Sequence, residues 1–315
     1  MKDKRILVIG AGALGSAFLE MTAGAFRKVG IFDGDIITED NLVNQPFYGA
    51  CSFSVPESKA GFASRRMREI GGPTEYIAYE KYFTAEDIHV LEGYDFVLDF
   101  TDTVRSRRVI NGCCARTGKS AVFSSMNSRQ GMVYFFGKNS ACFNCILRNS
   151  IGKVKEGCES RILSLDEGFM DFLTKKISGF ISGSPEEGKL YSFSFSDGRS
   201  SAADMQKDAD CEACSQKREI STGGKFVQIC SAGIKFSAGR EVDLDDIAGR
   251  LAGSRMAGSY LLRSEGRRSV LVSRDGDILL TGYGRGEAEG LILSLLGAHP
   301  EKKNNAGNNK KGSRR

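Results

Sequence analysis

Apolar and polar positions along the first 140 residues switch repeatedly between short β-branched or aromatic runs and stretches of helical period. The runs predict strands over 5–9, 28–33, 74–79, 95–99, 120–124 and 131–136; the periodic stretches predict helices over 14–25, 57–70, 85–91 and 104–116. Such alternation belongs to a mostly parallel sheet with helical crossovers, so the expected fold class is α/β, Rossmann-like and doubly wound. Beyond residue 141 the pattern weakens into loops around one helical stretch near 165–177. A third segment predicts a strand over 226–236, a helix over 243–251, strands over 259–263, 269–273 and 278–281 about an Asp275-Gly276 turn, and a helix over 287–296. The expected divisions are a sheet domain over 1–141, a crossover region over 142–224, a small α+β appendage over 225–298 and a tail over 299–315.

Composition changes this picture in three places. With 315 residues and 41% apolar content the chain can bury a full core. The formal net charge of +5 resides in the last fifteen residues, which hold six Lys or Arg against one Glu, so the body is near neutral. That tail has nothing larger and more apolar than Ala306, predicts disorder and gives no reason to expect a nucleic-acid partner. The N-terminus, Met1-Lys2-Asp3-Lys4-Arg5 ahead of an apolar run, imitates a signal peptide, but Gly10, Gly12 and Gly15 interrupt the run and Glu20 sits inside it. No membrane segment is expected elsewhere. Nine cysteines in a chain read without a secretory leader point to a reducing, cytoplasmic setting, where paired cysteines favour metal over disulfide.

The candidate chemistry begins with VIGAGALGS, in which Gly10, Gly12 and Gly15 form a GxGxxG turn directly after the first strand. Glycines there let backbone N–H groups approach a phosphate at the positive end of a helix. Asp33, ending the second strand, is placed to accept hydrogen bonds from ribose hydroxyls. A polar segment follows with Asp35, Asn41 and Gln45, then Lys59 at the start of a helix; amide donors and an ammonium suit a triphosphate. A nicotinamide or flavin oxidoreductase is the rival reading, weakened because His89 and His299 are the only histidines and both lie far from these loops in sequence. LDFTD puts Asp99 and Asp102 at the carboxyl edge of the fourth strand, and Asp102 is the expected Mg²⁺ ligand, the alternative being a helix N-cap. Cys142-x-x-Cys145 and Cys211-x-x-Cys214 suit tetrahedral thiolate coordination of a structural Zn²⁺, a staple on the crossover region. Cys158, beside Lys153 and Lys155, is a candidate reactive thiol or an inert surface one.

Taken in order, GAGALG, DGD, NLVNQ, Lys59, LDFTD and the two knuckles resemble the ThiF/MoeB/HesA family, over roughly residues 4 to 215. The resemblance implies Gly12 at the phosphates, Asp33 on the ribose, Asn41 and Gln45 near the triphosphate, Lys59 as cationic clamp and Asp102 as magnesium ligand. It further implies a homodimer and acyl-adenylate chemistry with ATP on a ubiquitin-like sulfur-carrier protein ending in Gly-Gly. Sulfur transfer would follow, through Cys158 or through a separate sulfurtransferase. Two positions depart from the pattern: Asn44 stands where the family carries Arg, and Thr103 follows Asp102 where Asn is usual. Loss of that arginine removes a charge from the triphosphate site and leaves open a nucleotide-binding scaffold without catalysis, with Arg65, Arg66 and Arg105 as candidate substitutes.

Overall fold

The computed structural model describes residues 1–38, 41–42, 45–51, 57–150, 165–211, 213–214, 226–229, 233–238, 241–257, 260–266, 268–274 and 276–297. Packing divides the chain into two units, 1–223 and 224–315. Asn44, Cys158 and the tail lie outside the described residues.

In the first unit β1 (Arg5–Ile9) carries the run RILVI, buried at its last four positions. Ile6 and Val8 enter one core and Leu7 and Ile9 the other, because successive side chains point to opposite faces. A strand can be apolar throughout only where both faces are covered, the situation of a parallel sheet's centre. β2 (Lys28–Phe32), β3 (Glu75–Tyr79) and β4 (Phe96–Asp99) join β1, followed by β5 (Ser120–Met126), β6 (Gln130–Phe136), β7 (Lys189–Ser194) and β8 (Ser200–Asp204), in the order β3-β2-β1-β4-β5-β6-β7-β8. Pairings from β3 to β5 are parallel and the last three antiparallel. The strand order reverses where β1 meets β4, and open sheets of this kind bind ligands beyond the carboxyl ends of the strands at that point.

Helices α1 (Ala13–Met21), α2 (Lys59–Ile70), α3 (Val104–Thr117), α4 (Phe143–Ser150) and α5 (Glu167–Ile181) cover the two faces. Phe18 of α1, Phe62 and Met67 of α2 and Phe169, Leu173 and Ile177 of α5 share one core; Ile110 and Cys113 of α3, Phe143 and Ile146 of α4 and Leu91 of the 3₁₀ segment Ala85–Gly93 share the other. Start and stop signals are local. The Ser58 hydroxyl caps α2 by accepting from the Gly61 N–H at 2.9 Å, Thr103 caps α3, and Gly118 ends α3 at φ +68°. The region past Cys142, expected as loops around one helix, instead adds β7 and β8 to the main sheet and packs α5 against it.

The second unit is an antiparallel sheet of β9 (Phe226–Ile229), β10 (Gly233–Ser237), β11 (Arg255–Ala257), β12 (Tyr260–Glu265), β13 (Arg268–Ser273) and β14 (Asp277–Thr281), ordered β11-β12-β13-β14-β10-β9. The single strand expected over 226–236 is a pair of strands, with Phe236 opposite Phe226. α6 (Leu244–Arg250) and α7 (Arg285–Leu295) close its core, with Ile247, Ile292 and Leu295 against Val270, Val272, Ile278 and Leu280. Among the described residues no helix is long and apolar enough to cross a membrane.

The turn from β1 into α1 is tightly packed. Gly10 sits at φ +95°, a conformation that side chains resist, and a Cβ there would stand 2.9 Å from the Phe100 carbonyl carbon. A Cβ on Gly15 would stand 1.9 Å from the Gly10 carbonyl oxygen, whereas one on Gly12 meets nothing within 4 Å. Gly15→Ala is therefore expected to lower stability by about 3 kcal/mol or more, with Gly12→Ala costing at most about 1 kcal/mol; denaturant midpoints of the two variants check the contrast.

Candidate functional site

Three loops meet at the reversal of the sheet. The first is the glycine turn, where Gly12 occupies the N-cap of α1 without a side-chain acceptor. The leading N–H groups of a helix have no partner within the helix, so this end is built to meet an acceptor from outside. Tyr48, fully buried beside Phe47 and Phe62, supports the turn by donating its hydroxyl to the Ala11 carbonyl at 2.5 Å.

The second loop follows β2. Asp33, 7% exposed, accepts from the Ala11 N–H at 2.7 Å through one oxygen and from the Asp35 N–H at 2.8 Å through the other. Its carboxyl is raised to about 6, first by burial and then by Asp35, against Lys59 and the two backbone donors. Lys59 is also 7% exposed; its Nζ lies 3.1 Å from Asp35 Oδ2, and its own N–H donates to the Asp35 carbonyl at 2.9 Å. Burial pulls the ammonium pKa down, but Asp35, Asp33 and Asp102 together hold it above its ordinary value, so Lys59 stays charged. The Tyr82 hydroxyl donates to the second oxygen of Asp35.

The third loop leaves β4. Asp99 is fully buried, and its Oδ1 accepts from the Thr101 N–H at 2.8 Å and the Thr101 hydroxyl at 2.7 Å. Burial raises this carboxyl to about 6, with Arg107 opposing. Asp102 is exposed just past the carboxyl end of β4, near enough to Lys59 to help hold its charge. The helix cap belongs to Thr103, whose Oγ1 accepts from the Ser106 N–H at 3.1 Å, so the hydroxyl of Thr103 serves the helix.

The structure thus brings together Gly10, Gly12, Gly15, Asp33, Asp35, Lys59 and Asp102. Asn41 accepts the Thr38 N–H at 2.9 Å through its side-chain oxygen, which makes it a turn former. Gln45 donates its N–H to the Asn41 carbonyl at 2.7 Å, and its side-chain oxygen is buried with no hydrogen-bond donor among the described residues. Of the arginines weighed as substitutes, Arg65 is engaged with both oxygens of Glu57, and Arg66 reaches Glu20 at 3.9 Å. Arg105 opens α3, three residues past Asp102. Tyr48, Tyr82 and Arg107 escaped the sequence reading, although Tyr82 was detectable as a polar-tipped residue just past the carboxyl end of β3.

Apart from these loops, the sulfurs of Cys142, Cys145, Cys211 and Cys214 all lie within 4.8 Å of one another. Adjacent pairs stand 3.8 Å (Cys142–Cys145), 3.6 Å (Cys142–Cys211) and 3.4 Å (Cys145–Cys214) apart. Four sulfurs at about 2.3 Å from a tetrahedral ion would be separated by about 3.8 Å, so the donor set fits zinc. Burial pushes the Cys142 thiol well up and Cys214 to about 11, while at Cys145 hydrogen bonds, the Asp208 backbone first among them, outweigh burial and lower the thiol pKa.

Comparison with known proteins supplies the family. The family model described as "ThiF family" matches residues 1–221. The sulfur carrier protein ThiS adenylyltransferase of Bacillus subtilis (strain 168) is 28% identical over 301 residues, 90% of this chain and 89% of that protein. The adenylyltransferase and sulfurtransferase MOCS3 of Dictyostelium discoideum is 26% identical over 262 residues, 78% of this chain and 59% of that protein. The mouse (Mus musculus) MOCS3 match covers 31% of that protein, so the chain spans only part of the length of these MOCS3 relatives. Among solved structures, E. coli MccB with ATP is similar in fold, with a TM-score of 0.55 at 14% identity over 68% of each chain. With the glycine turn, the acidic loops and the paired cysteines all inside the matched residues, the chain belongs to the ThiF family.

Proposed function

We propose that this protein is an ATP-dependent adenylyltransferase that activates the C-terminal carboxylate of a ubiquitin-like sulfur carrier ending in Gly-Gly. The carrying observation is the convergence of an open helix N-terminus, buried Lys59 and exposed Asp102 at the reversal of the sheet. The names of the B. subtilis and D. discoideum relatives support the same reading.

In the proposed reaction the carrier carboxylate attacks the α-phosphorus of ATP; a new C–O–P linkage forms, the α–β phosphoanhydride breaks, and pyrophosphate leaves. The nucleophile is already ionised at neutral pH, so no general base is needed, consistent with a site built from carboxylates, amides and one lysine. Backbone N–H groups at Gly12 and α1 receive the phosphates, Asp33 holds the ribose through its remaining lone pairs, and Lys59 neutralises developing charge. Asp102 offers the hard oxygen that magnesium prefers, and the ion would offset phosphate charge when bound. Zinc at the four cysteines would be structural, since four protein ligands leave no open position. The proposal extends to a cytoplasmic homodimer and to later sulfur transfer through Cys158 or a partner sulfurtransferase.

A second reading, a nucleotide-binding scaffold without catalysis, is favoured by Asn44 in place of arginine and by the engagement of Arg65 with Glu57. ATP–pyrophosphate exchange in the presence of Gly-Gly carriers separates the two, since a scaffold binds ATP without exchange.

Three outcomes are expected. Lys59→Ala and Asp102→Ala each lower exchange by about 10²-fold or more, and wild-type rates in either would remove that residue from the site. Nucleotide affinity falls about fourfold between about pH 7.5 and about 5.5, as Asp33 gains a proton near 6 and loses acceptor capacity; Asp33→Asn binds more weakly with a flatter profile. Elemental analysis finds about one zinc per chain, and chelation lowers the thermal midpoint; Cys211→Ser with full zinc would contradict the assignment.

A further inference from the structure

Arg107 lies one turn inside α3, 11% exposed, and points back under the loop that carries Asp102. Its Nη2 donates to the Thr101 carbonyl at 2.5 Å and to the Ser124 carbonyl at 2.8 Å, and its Nε donates to the Thr101 carbonyl at 3.2 Å. Nε also stands 3.9 Å from Asp99 Oδ2, an oxygen with no hydrogen-bond donor among the described residues. The guanidinium faces the Phe143 ring at 5.9 Å, and the Phe143 N–H is held by Asn111 Oδ1 at 2.8 Å. One planar fork therefore joins the residue before Asp102 to the end of β5, faces the buried carboxylate that anchors the same turn, and lies against the first cysteine knuckle. A buried arginine held at three sides fixes a backbone carbonyl far better than a flexible ammonium could.

We propose that Arg107 is a positioning residue: by gripping the Thr101 carbonyl it fixes the Asp99–Asp102 turn so that the Asp102 carboxylate faces the nucleotide's divalent cation. The inference deepens the proposed function and rests on Asp102 being the cation's ligand. Arg107 touches neither nucleotide nor carrier; it acts through Asp102. Groups that orient a metal-ligating carboxylate typically carry 10–100-fold in metal affinity or activity.

The test measures binding of a fluorescent ATP analogue to the full-length protein, without magnesium and across a magnesium titration, for wild type, Arg107→Met, Arg107→Lys, Asp102→Ala and the double variant Asp102→Ala/Arg107→Met. The expected result for both Arg107 variants is magnesium-free affinity within about twofold of wild type, with the magnesium concentration needed for half-maximal enhancement raised about tenfold. The double variant should be no worse than Asp102→Ala, because residues acting as one unit are not additive. Unchanged magnesium dependence in the Arg107 variants beside its loss in Asp102→Ala would overturn the positioning role and leave the proposed function standing. An equal loss of magnesium-free and magnesium-bound affinity would assign Arg107 to general stability and overturn the inference too. Retention of the magnesium effect by Asp102→Ala would instead refute the ligand assignment on which the inference rests. Should Arg107→Met fail to fold, Arg107→Lys carries the same comparison, since it keeps a positive charge toward Asp99 and cannot span both carbonyls.

Discussion

Gly15 lies so close to the Gly10 carbonyl oxygen that a side chain has no room there, and this contact sets where α1 begins. Because the turn also lies against the Phe100 backbone, the end of β1 and the loop leaving β4 are fixed to one another. The other loops follow from that point: Ala11 offers its N–H to Asp33 and its carbonyl to Tyr48, so the loop after β2 and the residues around Pro46 are anchored to the same turn. Position in the sheet, more than any side chain, decides that these groups meet.

Charge is the second constraint. Lys59 sits in the field of Asp33, Asp35 and Asp102, and two buried carboxylates, Asp33 and Asp99, are raised to about 6 because water does not reach them. A polyanion entering such a place meets local negative charge, which fits a nucleotide that arrives with a divalent cation and docks on backbone N–H groups instead of a cluster of arginines. Under the proposed reaction this arrangement also bears on Asn44, since a metal-borne charge would offset the phosphates where the guanidinium is missing. Arg107 is turned away from that task by its carbonyl partners.

Much of this was legible in the sequence because the signals were physical necessities. RILVI is apolar at every position but its first, as a strand covered on both faces must be, and Gly10 and Gly15 are required by the close approaches they make. The four cysteines were readable for a similar reason, since two CxxC pairs 69 residues apart serve tetrahedral sulfur. β8 was not legible: SSAAD has no apolar alternation, all five residues are exposed, and it is held by backbone pairing to β7. Arg107 was hidden because its partners are carbonyls of distant residues, which leave no pattern in side-chain identity. The weight given to Asn41 changes in the fold, where its side-chain oxygen closes a local turn with Thr38.

The most direct test of the account is a crystal structure with a non-hydrolysable ATP analogue and magnesium. The account predicts a triphosphate over Gly12, with Lys59 and a metal-bound Asp102 against it and Asp33 on the ribose. A nucleotide seated away from the end of β1, or a magnesium ion without Asp102 among its neighbours, would contradict it.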